Sequence, residues 1–214
     1  MLIFLIRHGL TDWNVQRRFQ GTCDIPLNET GLCQARTAAG RCASLHLQRI
    51  YHSTLIRAAQ TARIISDASG APLLPCPGFN EVCMGAFQGL TRAQAQAQFP
   101  EASAAYFADQ AHVAPPQGET LLALQTRALA ALKAVERESE GLERIAVVSH
   151  GALLKALLCA ITDMPLSSFG RFDVSNGSIS VIESVQGRYR LVTLNDLSHF
   201  GDPYGAMSAA RLMI

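Results

Sequence analysis

The sequence predicts an α/β fold: a three-layer α/β/α sandwich whose central sheet is mostly parallel and has an antiparallel edge. Three observations predict it. Short, wholly apolar runs at residues 2–6 and 145–148 are typical of strands that are buried on both faces. Segments with helical periodicity separate these runs, and strands that alternate with helices favour a parallel sheet covered on both sides. The last two predicted strands, near residues 178–183 and 188–194, are joined by a short turn and form an edge hairpin.

Local signals place the elements along the chain. Thr30 is the predicted N-cap of the first helix, and Ser53 or Thr54 that of the second, because short polar side chains accept hydrogen bonds from the free N–H groups of a first helical turn. In chain order we predict strand 2–7, loop 8–28, helix 31–45, strand 49–52, a helix ending near residue 70, a short strand near 73–74, an irregular segment 79–90, two short helices over 91–112 split at Pro100, helix 119–140, strand 144–148, helix 152–162 and the edge hairpin.

The length of 214 residues suits a single domain over residues 1–214. Apolar residues make up 49% of the chain and charged residues 16%, which supports a sizeable core rather than disorder. Residues 79–117 are expected to form a mostly helical insertion that covers a site. The tail from Gly201 onward has no predicted role.

Charge and cysteine content restrict the function class. The net charge is +1 without a basic block, so non-specific binding of nucleic acid is not favoured. The six cysteines form no CxxC motif and no zinc-ligand spacing, and we expect reduced thiols. The first apolar run is too short to span a membrane and follows no charged leader segment. We therefore expect a cytoplasmic protein that binds neither nucleic acid nor a membrane.

Two histidines end two of the predicted strands. An Arg-His-Gly tripeptide at residues 7–9 contains His8, and a Ser-His-Gly tripeptide at residues 149–151 contains His150. Ligand sites of open α/β sheets form at the carboxyl ends of the strands. A single histidine in this position is more often structural than catalytic. Arg7 beside His8 favours function, because the planar guanidinium group binds two phosphate oxygens at once.

Three further observations support a functional site at the same place, two for anion binding and one for proton transfer. The helix that starts near residue 152 offers free N–H groups to an anion beside His150. Arg57 lies in the first turn of its helix, where a positive charge interacts unfavourably with the helix dipole at a cost of about 0.3–1 kcal/mol. Such local misfits are expected at functional sites. Glu81 lies among apolar residues that would keep its carboxyl group protonated, as a proton donor requires. Taken alone, Arg57 is equally well explained as a solvated helix residue and Glu81 as a surface residue.

An ordered set of motifs covers nearly the whole chain. The motifs are residues 7–14, residues 20–27, Gly31 with Gln34 and Ala35, residues 53–62, Glu81 with Gly85 and Gly89, residues 118–120 and residues 149–151. An Arg-His-Gly tripeptide alone would be weak evidence, but this ordered set closely resembles the histidine phosphatase superfamily, also called the phosphoglycerate mutase-like family. The resemblance implies a phosphoglycerate mutase-like fold and metal-independent phosphoryl transfer without a cofactor.

The resemblance also implies a role for each matching position. His8 would be the nucleophile that becomes phosphohistidine, and Glu81 would act as general acid and then as general base. Attack requires a neutral His8 whose other N–H has an acceptor, and we expect a backbone carbonyl group near Gly9. The charges of Arg7, Arg57 and a protonated His150 would offset the negative charge on the phosphoryl oxygens. The substrate-binding positions would be Arg7, Asn14, Gln20, Gly21, Arg57 and Gly151.

The fate of the phosphohistidine separates two activities. Water would make the enzyme a phosphatase for a small phosphomonoester, and a retained phosphorylated acceptor would make it a phosphoglycerate mutase. The mutases that the chain resembles carry a Glu-Arg-His-Tyr-Gly string, whereas Val82, Cys83 and Met84 follow Glu81 here, which favours the phosphatase. A phosphate sensor without catalysis is a remote alternative, because His8 and Glu81 are both present. The sequence leaves open the substrate and whether the chain forms a homodimer.

Overall fold

The computed structural model describes residues 1–201, and all but the first residue of the tail from Gly201 lie outside the described residues. The strands are β1 (Leu2–Arg7), β2 (Arg49–His52), β3 (Leu73–Pro75), β4 (Arg144–Ser149), β5 (Ile179–Val185) and β6 (Arg188–Asp196). The helices are α1 (Asp12–Val15), α2 (Glu29–Ala43), α3 (Ile56–Ser69), α4 (Arg92–Gln98), α5 (Pro100–Ala108), α6 (Leu121–Glu138) and α7 (Gly151–Ile161).

The six strands form one sheet in the order β3-β2-β4-β1-β5-β6. The first four are mutually parallel, while β5 runs antiparallel to β1 and β6 antiparallel to β5. The predicted parallel sheet with an antiparallel edge hairpin is therefore confirmed.

Helices cover both faces of the sheet, as predicted. Ile3 and Leu5 of β1 belong to a core cluster with residues of α6 and α7, whereas Phe4 and Ile6 belong to a second cluster with residues of α2 and α3. Successive residues of a strand point to opposite faces, so an apolar run without alternation is what a sheet buried on both sides requires. Each large side chain buried in this way contributes roughly 1.5–3 kcal/mol to folding.

The register of β1 and β4 brings the two His-Gly tripeptides together. Arg7 pairs with Ser149 as the last residue of each strand. The backbone N–H of His8 then donates a hydrogen bond of 3.0 Å to the carbonyl oxygen of Ser149. Residues that lie about 140 positions apart in the chain therefore become neighbours at the carboxyl edge of the sheet.

Both predicted helix caps are wrong. Asn28, not Thr30, caps α2, and its Oδ1 accepts from the N–H of Gly31 at 2.9 Å. Neither Ser53 nor Thr54 caps α3; Asp24 accepts from the N–H of the first helical residue at 2.5 Å. This acceptor comes from a distant loop, so no local pattern could identify it. The same loop contains the four-residue helix α1, which is too short to give a periodic signal.

The segment between β3 and α6 contains the two short helices that we predicted, α4 and α5, separated at Phe99 and Pro100. The assignment of the whole chain to one domain with an insertion at 79–117 stays a prediction. Across residues 1–201, none of the helices is both long enough and apolar enough to cross a membrane.

Two glycines of α2 allow a matched test of its packing. A Cβ atom on Gly31 would lie 2.0 Å from the carbonyl oxygen of Leu10, whereas a Cβ atom on Gly40 would have no neighbour within 4 Å. We expect Gly31→Ala to lower the free energy of unfolding by about 1–3 kcal/mol, because backbone must move. Gly40→Ala should raise it by roughly 0.5–1 kcal/mol through helix propensity. Urea unfolding measures both, and equal effects would contradict the proposed close approach.

Candidate active site

His8 lies at the end of β1 with only 2% of its surface exposed. Its Nδ1 is 2.6 Å from the carbonyl oxygen of Gly9, which can only accept, so Nδ1 carries the proton and Nε2 keeps its lone pair. Burial lowers the pKa of His8 well below 6.5, and the charges of Arg57 and Arg7 lower it further. The imidazole is therefore neutral, with a free nucleophilic nitrogen, and the carbonyl group expected near Gly9 is its acceptor.

Further hydrogen bonds hold that carbonyl group in place. The Nδ2 of Asn176 donates to the carbonyl oxygens of His8 and Gly9 at 3.0 and 3.3 Å. On the other side, the hydroxyl oxygen of Thr61 accepts from the N–H of Gly9 at 3.2 Å. Asn176 was missed at the sequence level because it belongs to an Asn-Gly pair typical of a turn.

The ring of His150 lies 5.1 Å from that of His8, measured between centroids, and is fully buried. The tautomer of His150 follows from a chain of hydrogen bonds that begins at a backbone N–H group and passes through Asn80 and Ser53. The N–H of Thr54 donates to Asn80 Oδ1 at 2.8 Å, so this end of the amide is the oxygen. The hydroxyl of Ser53 must then donate its single proton to Oδ1, also at 2.8 Å. It can only accept from His150, at 2.6 Å, and Nε2 of His150 therefore carries the proton.

The expected protonated His150 is not what the site favours. Burial lowers its pKa well below 6.5, and the nearby charges of Arg57 and Arg7 act in the same direction. Its Nδ1 is buried and has no hydrogen-bond partner among the described residues. His150 is therefore neutral in the free site and has an unused acceptor.

Arg7 holds backbone through one terminal nitrogen of its guanidinium group, and Arg57 through both. Arg7 Nη1 donates to the carbonyl oxygen of Val174 at 2.6 Å. Arg57, with 1% of its surface exposed, donates to the carbonyl oxygens of Gly21 and Cys23, each at 2.8 Å. The Nε atoms of both arginines are buried without a partner among the described residues. Two oriented N–H donors are thus available to an anion beside the imidazoles.

The carboxylate of Glu81 lies at the N-terminus of α7. It accepts hydrogen bonds from the backbone N–H groups of Val82, Ala152 and Leu153 at 2.9, 3.1 and 3.0 Å. The expectation of purely apolar surroundings is wrong for the carboxylate oxygens, which occupy the helix terminus that we predicted for a phosphate. Free N–H groups and the helix dipole stabilise the anion there.

Arg127 holds the loop that carries Glu81, and nothing in the local sequence indicated it. Its guanidinium group donates to the carbonyl oxygens of Gly78, Asn80 and Glu81 at 3.0, 2.6 and 2.9 Å. Glu119 completes the arrangement with a two-point ion pair to Arg127, at 2.8 and 3.0 Å. Glu119 belongs to the motif at residues 118–120, but its partner could not be found from the sequence.

Five of the six predicted substrate-binding residues line a cavity, and the sixth, Gly151, does not. A cavity of about 280 Å³ is lined by His8, Glu81 and, of the predicted binding positions, Arg7, Asn14, Gln20, Gly21 and Arg57. Gly151 instead lies against Arg7, since a Cβ atom there would be 3.2 Å from the guanidinium carbon. Gly151 therefore leaves room for Arg7. Within residues 1–201, no three His, Cys, Asp or Glu residues are grouped as metal ligands would be.

The sequence and the fold of this chain are similar to those of known proteins. A family model described as histidine phosphatase superfamily (branch 1) matches residues 3–197. The metal-independent phosphoserine phosphatase of Arabidopsis thaliana is 34% identical, over 92% of this chain and 82% of that protein. Phosphoglycerate mutase-like protein 4 of the same plant is 36% identical, over 72% and 68%. The crystal structure of the alpha-ribazole phosphatase from Shigella flexneri superposes with a TM-score of 0.85 at 28% identity, over 92% and 96%.

The buried imidazoles predict a loss of stability in acid. The folded-state pKa values of His8 and His150 lie below the unfolded value near 6.5, so below pH 6.5 the unfolded chain binds more protons. Their contribution is complete above pH 6.5 and is lost as the pH falls toward the folded values, by up to about 1.4 kcal/mol per pH unit for each imidazole. Urea unfolding between pH 7.5 and 5 measures the slope.

His150→Gln should lower the number of protons taken up on unfolding by about one, and the slope should fall in proportion. Substitution of the exposed His46 by Gln serves as the matched control. An unchanged slope in His150→Gln would show that His150 is not held neutral.

Proposed function

Since the chain belongs to the histidine phosphatase superfamily, we propose that it hydrolyses a small phosphomonoester through a phosphohistidine formed on His8. One observation carries the proposal: a neutral His8, anchored through Nδ1, lies beside two arginines whose Nε–H groups have no partner among the described residues. A phosphoryl group bound there would receive hydrogen bonds from both guanidinium groups and lie next to a free imidazole nitrogen.

In the first step, the lone pair of His8 Nε2 attacks phosphorus, and the bond from phosphorus to the alcohol oxygen breaks. Charge develops on the equatorial oxygens, where Arg7 and Arg57 stabilise it. The phosphorylated ring is cationic, and the hydrogen bond from Nδ1–H to the Gly9 carbonyl oxygen stabilises that cation.

His150 adjusts to the protonation state of the phosphate. Its Nδ1 accepts a hydrogen bond from a P–OH group, or takes up a proton and donates to an ionised oxygen. Ser53 and Asn80 retain the Nε2 proton in both cases and so act as positioning residues.

Glu81 supplies the proton that the leaving alkoxide needs. The acid form of Glu81 passes its proton to the alcohol oxygen as the bond from phosphorus to that oxygen breaks, and Glu81 is left as a carboxylate. In the second step the carboxylate removes a proton from water, the water oxygen attacks phosphorus, and the P–N bond breaks to regenerate His8. General acid and base catalysis of this kind is typically worth about 10²- to 10⁴-fold in rate.

Two further points accompany this proposal. The cytoplasmic location stays a prediction, and whether the chain forms a homodimer stays open. A mutase remains the alternative outcome of the same phosphohistidine, and the mutase-like relative supports keeping it. It differs in product: a mutase converts one phosphoglycerate into its isomer, and a phosphatase releases inorganic phosphate.

We expect His8→Ala to lose turnover and the acid-labile phosphoenzyme, because the mechanism requires Nε2 of His8 to attack phosphorus. Inorganic phosphate release and trapping of labelled phosphoenzyme measure the two properties. Near-normal activity in His8→Ala would refute the mechanism. With 3-phosphoglycerate as substrate, formation of 2-phosphoglycerate in place of inorganic phosphate would instead identify a mutase.

Glu81→Gln keeps an oxygen for the N–H groups at the start of α7 but removes the transferable proton. We expect kcat/KM for alkyl phosphates, whose alkoxides are poor leaving groups, to fall by roughly 10²- to 10⁴-fold. For p-nitrophenyl phosphate, whose phenolate leaves without a proton, the fall should be much smaller. Equal losses on both substrates would exclude Glu81 as the general acid.

A further inference from the structure

We propose that the leaving group accepted by this site is an uncharged alcohol with an apolar, aryl-like body, and that phosphate esters of carboxylated alcohols are poor substrates. This inference deepens the proposed function and rests on it. It concerns the outer part of the cavity, beyond the residues that face the phosphate.

Most of the cavity wall beyond the residues that face the phosphate is apolar, although Arg18 and Gln110 are also part of it. Phe19, Val82, Met84, Leu121 and Phe169 line it together with the ring of Tyr106. At about 280 Å³ the cavity lies at the low end of the range for small-molecule sites, so the substrate is compact. Contact with this wall removes apolar surface of the leaving group from water, which favours binding.

The apolar wall begins directly at the general acid. Val82 and Met84 follow Glu81 in the chain, and each has only 4% of its surface exposed. Because Glu81 protonates the leaving oxygen, the first carbon atoms of the alcohol must lie beside these two side chains. A charged substituent close to that oxygen would have to enter this apolar region.

The cations near the cavity offer little to a charged leaving group. Arg7 and Arg57 face the phosphate, and Arg18 is tied to protein acceptors: its Nε donates to Gln16 at 2.8 Å and its Nη1 to Gly89 and Gln94 at 2.6 and 3.1 Å. Lys155 does not line the cavity, and its ammonium group lies over the ring of Phe169, 5.7 Å from the centroid. The partners of Arg18 are neutral, so this residue keeps its charge, but it is partly exposed and solvent screens it. An ion pair of this kind is typically weak. A carboxylate in the outer cavity would therefore lose water and gain only a screened counter-charge.

One polar group in the wall is suited to an uncharged partner. The hydroxyl of Tyr106, a residue with 5% of its surface exposed, has only the weak acceptor Met84 Sδ, at 3.7 Å, among the described residues. Burial raises the pKa of Tyr106 to about 12, so the group stays an O–H donor at neutral pH. It can donate to an ether, hydroxyl or carbonyl oxygen of the leaving group.

The wall is also held in place before substrate arrives. Phe87 packs edge-on against Tyr106 with ring centroids 5.8 Å apart, and Phe107 packs against it at 5.1 Å. Phe19 contacts both phenylalanines, at 6.1 and 6.3 Å. Such aromatic packing fixes the shape of the cavity, and a fixed shape discriminates between substrates better than a yielding one.

The test compares two esters that differ only in charge: 4-propylphenyl phosphate and the analogue whose terminal methyl group is a carboxylate. The two phenols have nearly the same acidity, so the chemical step is matched. We expect kcat/KM to be higher for the propyl ester by on the order of 10- to 200-fold, the range that a pocket contact supplies.

A paired substitution locates the effect. Gln110 lines the cavity and is partly exposed, so it tolerates a long side chain. Gln110→Arg adds a counter-charge and should lower the preference for the propyl ester at least about 10-fold. Gln110→Met, of similar length and without charge, should preserve the preference, as should Val192→Arg on the exposed face of β6.

Each outcome decides one proposal. Hydrolysis of both esters at equal rates, or faster hydrolysis of the carboxylate, with loss of activity in His8→Ala, would overturn the inference and leave the proposed function standing. If the protein hydrolysed none of four compounds, namely the two esters, phosphoserine and p-nitrophenyl phosphate, the proposed function itself would be overturned.

Discussion

The site depends on one constraint, the burial of positive charge beside two imidazoles. Arg7 and Arg57 both face Glu81, and both lower the pKa values of His8 and His150. Burying unpaired charge is costly, and the fold limits that cost in two ways. Backbone carbonyl groups accept from the guanidinium groups, and the imidazoles stay unprotonated. The positive potential that remains is what a phosphate dianion would neutralise.

The two imidazoles are held in opposite tautomers, and each by a different device. A carbonyl group one residue away retains the Nδ1 proton of His8, whereas Ser53 and Asn80 retain the Nε2 proton of His150. His8 therefore offers a lone pair at Nε2 and His150 one at Nδ1. These atoms differ in proposed use: His8 lines the cavity and attacks phosphorus through Nε2, whereas Nδ1 of His150 interacts with a phosphate oxygen.

The sequence was sufficient for most features that neighbouring residues encode, although Thr30 was predicted in place of Asn28 as the cap of α2. Apolar runs predicted β1 and β4 because a doubly covered sheet needs them, and the His-Gly endings predicted which residues would meet. Prediction failed where a partner is distant in the chain. Asp24 caps α3, and Glu81 caps α7 where a phosphate was expected. The contacts of Arg127 belong to the same class, since a lone helical arginine carries no local sign of the carbonyl groups it will meet.

The residues that face the phosphate and those that face the leaving group come from different parts of the chain. The first group comes mainly from the ends of β1 and β4 and the start of α3, and much of the second from the segment between β3 and α6. Mutations that reshape the second group leave the reactive nitrogen untouched. A lineage can thus exchange one alcohol for another through mutations in the segment between β3 and α6, without passing through an inactive ancestor. Relatives of one architecture that carry the names of different substrates are the expected record of such a history.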